Sequence, residues 1–314
     1  MIEGIDSITY STDGTAENFA TSKKFFLDWG LALLRESGDE LVFETQNGSQ
    51  VRVLTPNHAS LAGTVPMESG ATLREVVWGV ASQAALDGLS QAHGLQTLDP
   101  HGLRVKFQLS QKRKLNIQGT PSNVWGDVRR LDSPSPVYER AVPIEIGHVV
   151  LFTDCLPEAV AFYEKLGFCV SDQYPNRGVF LRCSKTGGHH DVFLLQVPNK
   201  PKGLNHVAFT VRDIHEVFGG GLAMSRAGWK TQLGPGRHPI SSAYFWYFEC
   251  PVGGLIEYNA DEDHLTEAWQ AREFEPSPTR FAEWAIDGGL DGHTRRQPNA
   301  QAGGKFLTEK REAK

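Results

Sequence analysis

The feature that most constrains the fold is that the chain repeats itself. Around Gly147 it reads EIGHVVLFTDCLPEAVAFYEKLGFCVSD. This is an alternating strand, a turn, an amphipathic helix closing on Leu-Gly-Phe, and another strand. Around Gly4 it reads EGIDSITYSTDGTAENFATSKKFFLDWGLAL, with the same order, Phe25 and Phe26 on the helix, and Trp-Gly-Leu after it. A second pair aligns in the same way: GLNHVAFTVRDIHEVFGGGLAMSRAGW from Gly203 and TLREVVWGVASQAALDGLSQAHGL from Thr72. Both end on a Pro-containing hairpin, CPVGGLIEY in one case and DPHGLRVKF in the other. Self-similar units of this size bury their apolar faces against one another.

The expected fold class is therefore α+β, with four βαβββ modules paired into two domains. The modules span roughly 3–60, 70–125, 143–200 and 203–260, by the periodicity of the strands and helices. The expected division is an N-terminal domain over 1–125, a linker over 126–142, a second domain over 143–262 and a C-terminal helix with a polar tail over 263–314. The linker region, TPSNVWGDVRRLDSPSPVYERAV, is rich in Pro and Ser and has no periodicity. In the last segment, PSPTRFAEWAIDGG reads as a short helix with Phe281 and Trp284 on one face and Gly288-Gly289 as its cap.

Composition narrows the partners. With 314 residues, 40% hydrophobic and 22% charged, the chain has the apolar material for a core. A net charge of −6 with no basic block gives no electrostatic case for nucleic acid. No window approaches the roughly 18 consecutive apolar residues of a membrane span. The N-terminus carries acids early and has no apolar core of a signal peptide. Cys155, Cys169, Cys183 and Cys250 are scattered without a C-x-x-C pair, which fits free thiols in a reducing cytoplasm.

The repeat also locates the chemistry. His148 in IGHVVLF and His206 in LNHVAFTV occupy the same place on the first strands of the last two modules. Glu257 lies on the closing strand among Leu255, Ile256 and Tyr258, where an unpaired carboxylate is costly. The aligned N-terminal positions hold Asp6, Glu75 and Lys106, a poor metal set with no imidazole and one cation. Each C-terminal residue alone has an ordinary explanation: a hydrogen-bonded core histidine, or a carboxylate paired with a base. Together they form two imidazoles and one carboxylate on a concave sheet. That is the donor set of non-haem Fe(II) oxygenases, which leaves positions open, whereas structural zinc takes a fourth protein ligand.

The run GRHPISSAYFWYFECPVGGLIE resembles the signature of type I extradiol ring-cleavage dioxygenases of the vicinal oxygen chelate superfamily. Here its positions are His238, Tyr247, Pro251, Gly253 and Glu257, with Cys250 where the family usually has a polar or small residue. The resemblance covers roughly residues 3–262, the four-module extent given above. It implies a vicinal oxygen chelate, glyoxalase-like fold and Fe(II), or Mn(II), bound by His148, His206 and Glu257. It also implies a catechol-type substrate with O2, and a homo-oligomer. His190 in GGHHDVFLL matches the family's base, with His189 as the competing choice. His238 and Tyr247 match groups that contact oxygen and substrate. If Tyr247 faces the metal, strand alternation puts Phe245 on the same face as a pocket wall, with Tyr244, Trp246 and Phe248 turned away. The Phe281/Trp284 segment has two readings, ordinary packing first and a cover over the mouth second. GIDSITY, LREVVWGV and FAEWAIDGG are similar to the 2,4,5-trihydroxytoluene oxygenase branch, with a biphenyl-type or simple catechol substrate as the open alternatives. Two other readings share the fold: glyoxalase-type lyases or thiol transferases, which use a different ligand set, and drug-sequestering proteins of the bleomycin-resistance type, which need no metal.

Overall fold

The computed structural model describes residues 1–287. The expected Gly288-Gly289 cap and the polar tail lie outside the described residues. The first half runs β1 (Ile2–Ser11), α1 (Ala16–Trp29), β2 (Ala32–Glu36), β3 (Glu40–Glu44), β4 (Gln50–Leu54), β5 (Thr72–Val80), α2 (Gln83–His93), β6 (Gln96–Leu98) and β7 (Arg104–Leu109). The second half begins with β8 (Glu145–Phe152), α3 (Leu156–Lys165), β9 (Cys169–Tyr174), β10 (Gly178–Arg182), β11 (Gly187–Gly188) and β12 (Val192–Leu195). It continues with β13 (Gly203–Thr210), α4 (Ile214–Arg226), β14 (Thr231–Arg237), β15 (Tyr244–Glu249) and β16 (Leu255–Ala260). After these come β17 (His264–Leu265), β18 (Arg272–Glu273), α5 (Pro278–Phe281) and β19 (Trp284–Asp287).

Each half builds one large sheet. The first is ordered β2-β3-β4-β1-β5-β7-β6 and the second β18-β9-β10-β12-β8-β13-β16-β15-β14-β19. In both, the opening strands of two modules pair antiparallel at the centre, β1 with β5 and β8 with β13. The closing strand of the later module then pairs parallel with its opening strand, β7 with β5 and β16 with β13. The second module carries two strands after its helix, because only residues 94–103 lie between α2 and the closing strand β7. Regular structure in the first half ends at Leu109. The stretch before β8 is held by side chains instead: Asp213 accepts from the Thr120 amide and Glu216 from the Val142 amide.

Helix ends follow their sequence signals. Thr15 caps α1 by accepting from the Asn18 amide, and Gly30 closes it with φ near +101°. The buried face of α1 carries Phe25, Phe26 and Trp29 into a hydrophobic cluster that runs through both halves. Trp29 stacks on Tyr258 at 3.6 Å and 4°, and the Tyr258 hydroxyl donates to the Trp29 carbonyl at 2.8 Å. On α4, Gly219, Gly220 and Gly221 let the helix lie directly on its neighbours, and a Cβ at Gly221 would stand 2.0 Å from the Trp246 ring.

The C-terminal segment differs from its expected form. Phe281 ends the four-residue α5, and Trp284 belongs to β19, which pairs antiparallel with β14. A single turn of helix is not stable by itself. The free edge of β14 offers backbone partners that a continued helix would not use.

Gly221→Ala tests the packing argument by its sign. In an exposed helix this change gains about 1 kcal/mol. Here the clash with the buried Trp246 dominates, so the urea midpoint falls, by the equivalent of about 1–3 kcal/mol typical of overpacking.

Candidate metal centre

Three adjacent strands set the site. His148 on β8 pairs across with Ala208 on β13, and Ala208 pairs in turn with Glu257 on β16. Directly paired residues share a face, as do residues two apart along one strand. His148, Ala208, Glu257 and His206 therefore point to one side, while Val149, Val207, Phe209, Ile256 and Tyr258 enter the hydrophobic cluster on the other. The small Ala208 leaves the space in which its larger neighbours converge.

The donor atoms lie close together. His148 Nε2 is 3.2 Å from His206 Nε2 and 3.2 Å from Glu257 Oε2, and His206 Nε2 is 3.1 Å from Glu257 Oε2. All three residues are buried, Glu257 completely. Asn205 Oδ1 accepts from His206 Nδ1 at 2.6 Å, so Nδ1 carries the proton and Nε2 presents a lone pair. Glu257 Oε2 makes no hydrogen bond despite its burial. Acceptors facing one another at this range need a cation between them. Bonds of about 2.1 Å at right angles, the length zinc makes to imidazole, separate donor atoms by about 3.0 Å. The residues fit a divalent ion.

Electrostatics agree with that donor chemistry. Burial, aided by nearby imidazoles, lowers the pKa values of His148 and His206, which keeps both rings neutral. Burial alone would raise the Glu257 carboxyl, but the close-set imidazoles of His148, His206 and His238 outweigh it and hold the carboxyl well below its ordinary range.

The corresponding place in the first half is filled by charge pairs. The register sets Ser7 opposite Val77 and Val77 opposite Lys106, with Glu75 two residues earlier. Ser7, rather than Asp6, is thus the equivalent of His148. A register shift between Ile5 and Ser7 displaces Asp6, whose carboxylate accepts from Gln108, Ser110 and the Gln111 amide. Glu75 pairs with Lys106 at 2.8 Å and with Arg104 at 2.5 Å. A lysine ammonium stands where the second half has a converging carboxylate.

A cavity of about 750 Å³ opens above the donor atoms, walled by Val150, Phe180, Phe193, Ile240 and Leu255 among others. His190, His238 and Tyr247 line it. His190 Nδ1 lies 2.9 Å from Glu262 Oε1 and 3.2 Å from His189 Nδ1. Burial and the adjacent His189 hold the His190 pKa well below its ordinary value. His189 is fully buried behind His190, bound to Asp172 at 2.9 Å, and does not line the cavity. His238 Nδ1 donates to the Phe281 carbonyl at 2.7 Å, which leaves Nε2 to accept from the Tyr247 hydroxyl at 3.0 Å. Burial, then the Glu257 charge, pushes the Tyr247 pKa well up, so its phenol remains a donor.

Phe245 shares the face of Tyr247 but lies under the His238 ring at 4.1 Å, fully buried, and is not among the cavity walls. Trp246 and Phe248 point into the hydrophobic cluster. Phe281 lines the cavity, whereas Trp284 packs beside Tyr244 away from it. Sequence reasoning missed Asn205, Ala208, Asp172 and Glu262. Asn205 had a signal, lying next to His206 in LNHVAF; the others depend on pairings that only the folded chain creates.

Residues 145–258 match the Glyoxalase/Bleomycin resistance protein/Dioxygenase superfamily. Metapyrocatechase 2 of Cupriavidus necator is 31% identical over 203 residues, a region covering 62% of this chain and 61% of that protein. The chain therefore aligns with less than two thirds of that relative. A Mn(II)-bound glyoxalase from Novosphingobium aromaticivorans superposes with a TM-score of 0.69 at 23% identity, covering 91% of this chain and 92% of the other. Homoprotocatechuate 2,3-dioxygenase from Arthrobacter globiformis gives 0.66 at 18% identity, covering 90% and 88%. These structures share the fold, the vicinal oxygen chelate arrangement of modules.

Ala208→Val copies the residue at the equivalent first-half position. It is expected to cut bound divalent metal, measured by elemental analysis after Fe(II) or Mn(II) loading, by about tenfold or more. Val77→Ala should leave it unchanged. A second expectation concerns acid stability. Burial would raise the Asp172 carboxyl, but hydrogen bonds from His189 and Arg272 lower it overall. The stability it contributes is present above the unfolded value of about 3.9 and is lost as pH falls through the lower folded value. Urea titrations between pH 5 and pH 2 should show that acid loss, and Asp172→Asn should flatten it.

Proposed function

We propose, for a chain whose residues 145–258 belong to the Glyoxalase/Bleomycin resistance protein/Dioxygenase superfamily, that it is an extradiol dioxygenase. It opens the ring of a catechol-type substrate with O2, beside rather than between the two hydroxyl-bearing carbons. Its non-haem Fe(II), with Mn(II) as the alternative, is held by His148, His206 and Glu257. The observation that carries this reading is the trio of donor atoms 3.1–3.2 Å apart, with the unsatisfied Glu257 Oε2, on the floor of an aromatic-walled cavity. When bound, the ion lowers the pKa of a coordinated hydroxyl and supplies the one-electron chemistry that dioxygen requires.

The chain's own residues account for the rest. Phe180, Phe193 and Val150 pack a planar ring and exclude water. His190, neutral and open to the cavity, takes the phenolic proton. Tyr247 and His238 form a hydrogen-bonded pair beside Glu257, His238 Nε2 standing 3.8 Å from Glu257 Oε1. The Tyr247 hydroxyl is the donor, turning from His238 Nε2 to the oxygen on which negative charge develops. Both atoms of O2 enter the product, which carries a new carboxylate and a new carbonyl where the ring opened. The likeness to a protein called Metapyrocatechase 2 supports the same class. Within that class, a trihydroxytoluene-type ring is the finer substrate reading, and the enzyme works as a homo-oligomer in the cytoplasm. The four cysteines are free, which suits a reducing compartment, and no helix among the described residues is long and apolar enough to cross a membrane.

One observation favours a second reading, a glyoxalase-like lyase. His148, His190 and Glu262 form another donor group, which brings a second carboxylate to the site. The two readings differ in oxygen demand. Fe(II)-reconstituted protein given a catechol panel that includes 2,4,5-trihydroxytoluene should consume one O2 per substrate and form a yellow product. His148→Ala and Glu257→Ala should abolish this. Full activity in either variant would overturn the triad, and turnover of a thiol adduct without O2 uptake would favour the lyase.

A further inference from the structure

Behind His190 lies a chain of buried polar groups that the ring-opening chemistry does not touch. Asp172 is fully buried on β9 and receives four hydrogen bonds from Arg272: its backbone amide at 2.8 Å, Nε at 3.1 Å to each oxygen, and Nη2 at 2.6 Å. Arg272 also reaches the Ile240 carbonyl at 2.8 Å, tying β18 to the cavity wall. The remaining contact of Asp172 Oδ2 is His189 Nε2 at 2.9 Å. A carboxylate so arranged only accepts, so His189 Nε2 carries a proton. His189 Nδ1 lies 3.2 Å from His190 Nδ1. On its other side, His190 Nδ1 meets Glu262 Oε1 at 2.9 Å. Gly188 makes room for that carboxylate, since a Cβ there would lie 2.7 Å from Glu262 Oε2.

Glu262 Oε1 and His189 Nδ1 therefore both face His190 Nδ1. Among the described residues, no group hydrogen-bonds its Nε2. We propose that the Asp172–His189 pair and Glu262 are positioning elements that lock His190 in the Nδ1–H tautomer, leaving the Nε2 lone pair as the one facing substrate. Arg272 on the segment after the last module is the anchor that holds this relay in register. No residue of the relay touches substrate. Its effect is transmitted through one imidazole, and the effect on turnover rests on the dioxygenase reading given above.

Asp172→Asn separates this role from mere support. Oδ1 accepts the fixed Arg272 backbone amide, whereas the Arg272 Nη2 contact to Oδ2 belongs to a side chain that can turn away, so the amide keeps its oxygen at Oδ1 and its NH2 faces His189 Nε2. His189 then has to accept at Nε2 and carry its proton on Nδ1. That proton is donated to His190 Nδ1, and the His190 proton moves to Nε2, where it blocks proton uptake. The shape is conserved and the tautomers invert, the condition in which replacing the carboxylate behind an imidazole base by its amide lowers kcat.

The test has two arms on the full-length chain. The first is two-bond 1H–15N correlation NMR on protein with 15N-labelled histidine, filled with Zn(II) as a diamagnetic ion. Wild type should show His190 protonated on Nδ1, and Asp172→Asn should show it protonated on Nε2. The second is steady-state kinetics on the Fe(II) enzyme. Asp172→Asn should lower kcat by about 100-fold, the usual worth of a general base, with KM within about twofold and iron content unchanged. Wild-type His190 protonated on Nε2 would overturn the proposal without any variant. An inverted tautomer with kcat intact, or a kcat loss that merely follows iron loss, would also overturn it. Absence of ring cleavage in wild type would instead sink the dioxygenase reading, with the NMR arm still deciding the tautomer.

Discussion

The structure turns on one buried anion. Glu257 is completely enclosed, one strand residue away on either side from Ile256 and Tyr258 in the hydrophobic cluster. A carboxylate in such a place loses several kcal/mol of solvation, which only close positive or hydrogen-bonded partners offset. Among the described residues, its close partners are His148, His206 and His238, with no lysine or arginine. Neutral imidazoles stabilise it only in part, and one of its oxygens stays unsatisfied. The deficit is a demand for a cation, built into three strands.

The two halves solve the same geometrical problem with different charges. At the equivalent row in the first half, Glu75 is neutralised by Lys106 and Arg104, and the branched Val77 occupies the place of Ala208. That arrangement balances the Glu75 charge with two cations and needs no ion. The second half keeps the row open by a single small residue. Because opposite faces of a strand alternate, the apolar face of β8, β13 and β16 can anchor the core while the other face is left for chemistry. The stacked Trp29 and Tyr258 show how directly the two are joined, since Tyr258 follows Glu257 in sequence and is gripped by a helix from the first half.

Much of this was legible in the residue order. Strand alternation and the repeat were enough to bring His148, His206 and Glu257 to one face, because register between repeated units carries over from one copy to another. The same logic misplaced the first-half partner at Asp6, since a register shift of one residue leaves no mark in the sequence pattern. It also placed Phe245 on the cavity face but could not see that the His238 ring covers it. Ala208 gave no signal, because an alanine among apolar residues becomes meaningful only when its cross-strand neighbours are known. The β19 strand was unreadable for a related reason: its state is decided by the open edge of β14, not by the residues Trp284–Asp287 themselves.

The histidines around the site are made different by what stands behind them. Asn205 fixes His206, the Phe281 carbonyl fixes His238, and Glu262 with His189 fixes His190. Each tie takes the Nδ1 proton, and each leaves Nε2 facing inward with a lone pair. One ring uses that lone pair toward the shared carboxylate, one accepts the Tyr247 hydroxyl, and one remains unengaged among the described residues. Identical side chains thus face the cavity in three different hydrogen-bonding settings, set by their outward contacts. Those contacts come from a strand asparagine beside His206, a backbone carbonyl near the C-terminal strand and a buried acid–imidazole chain. This is why the segments outside the repeated modules are part of the site's chemistry rather than additions to a finished fold.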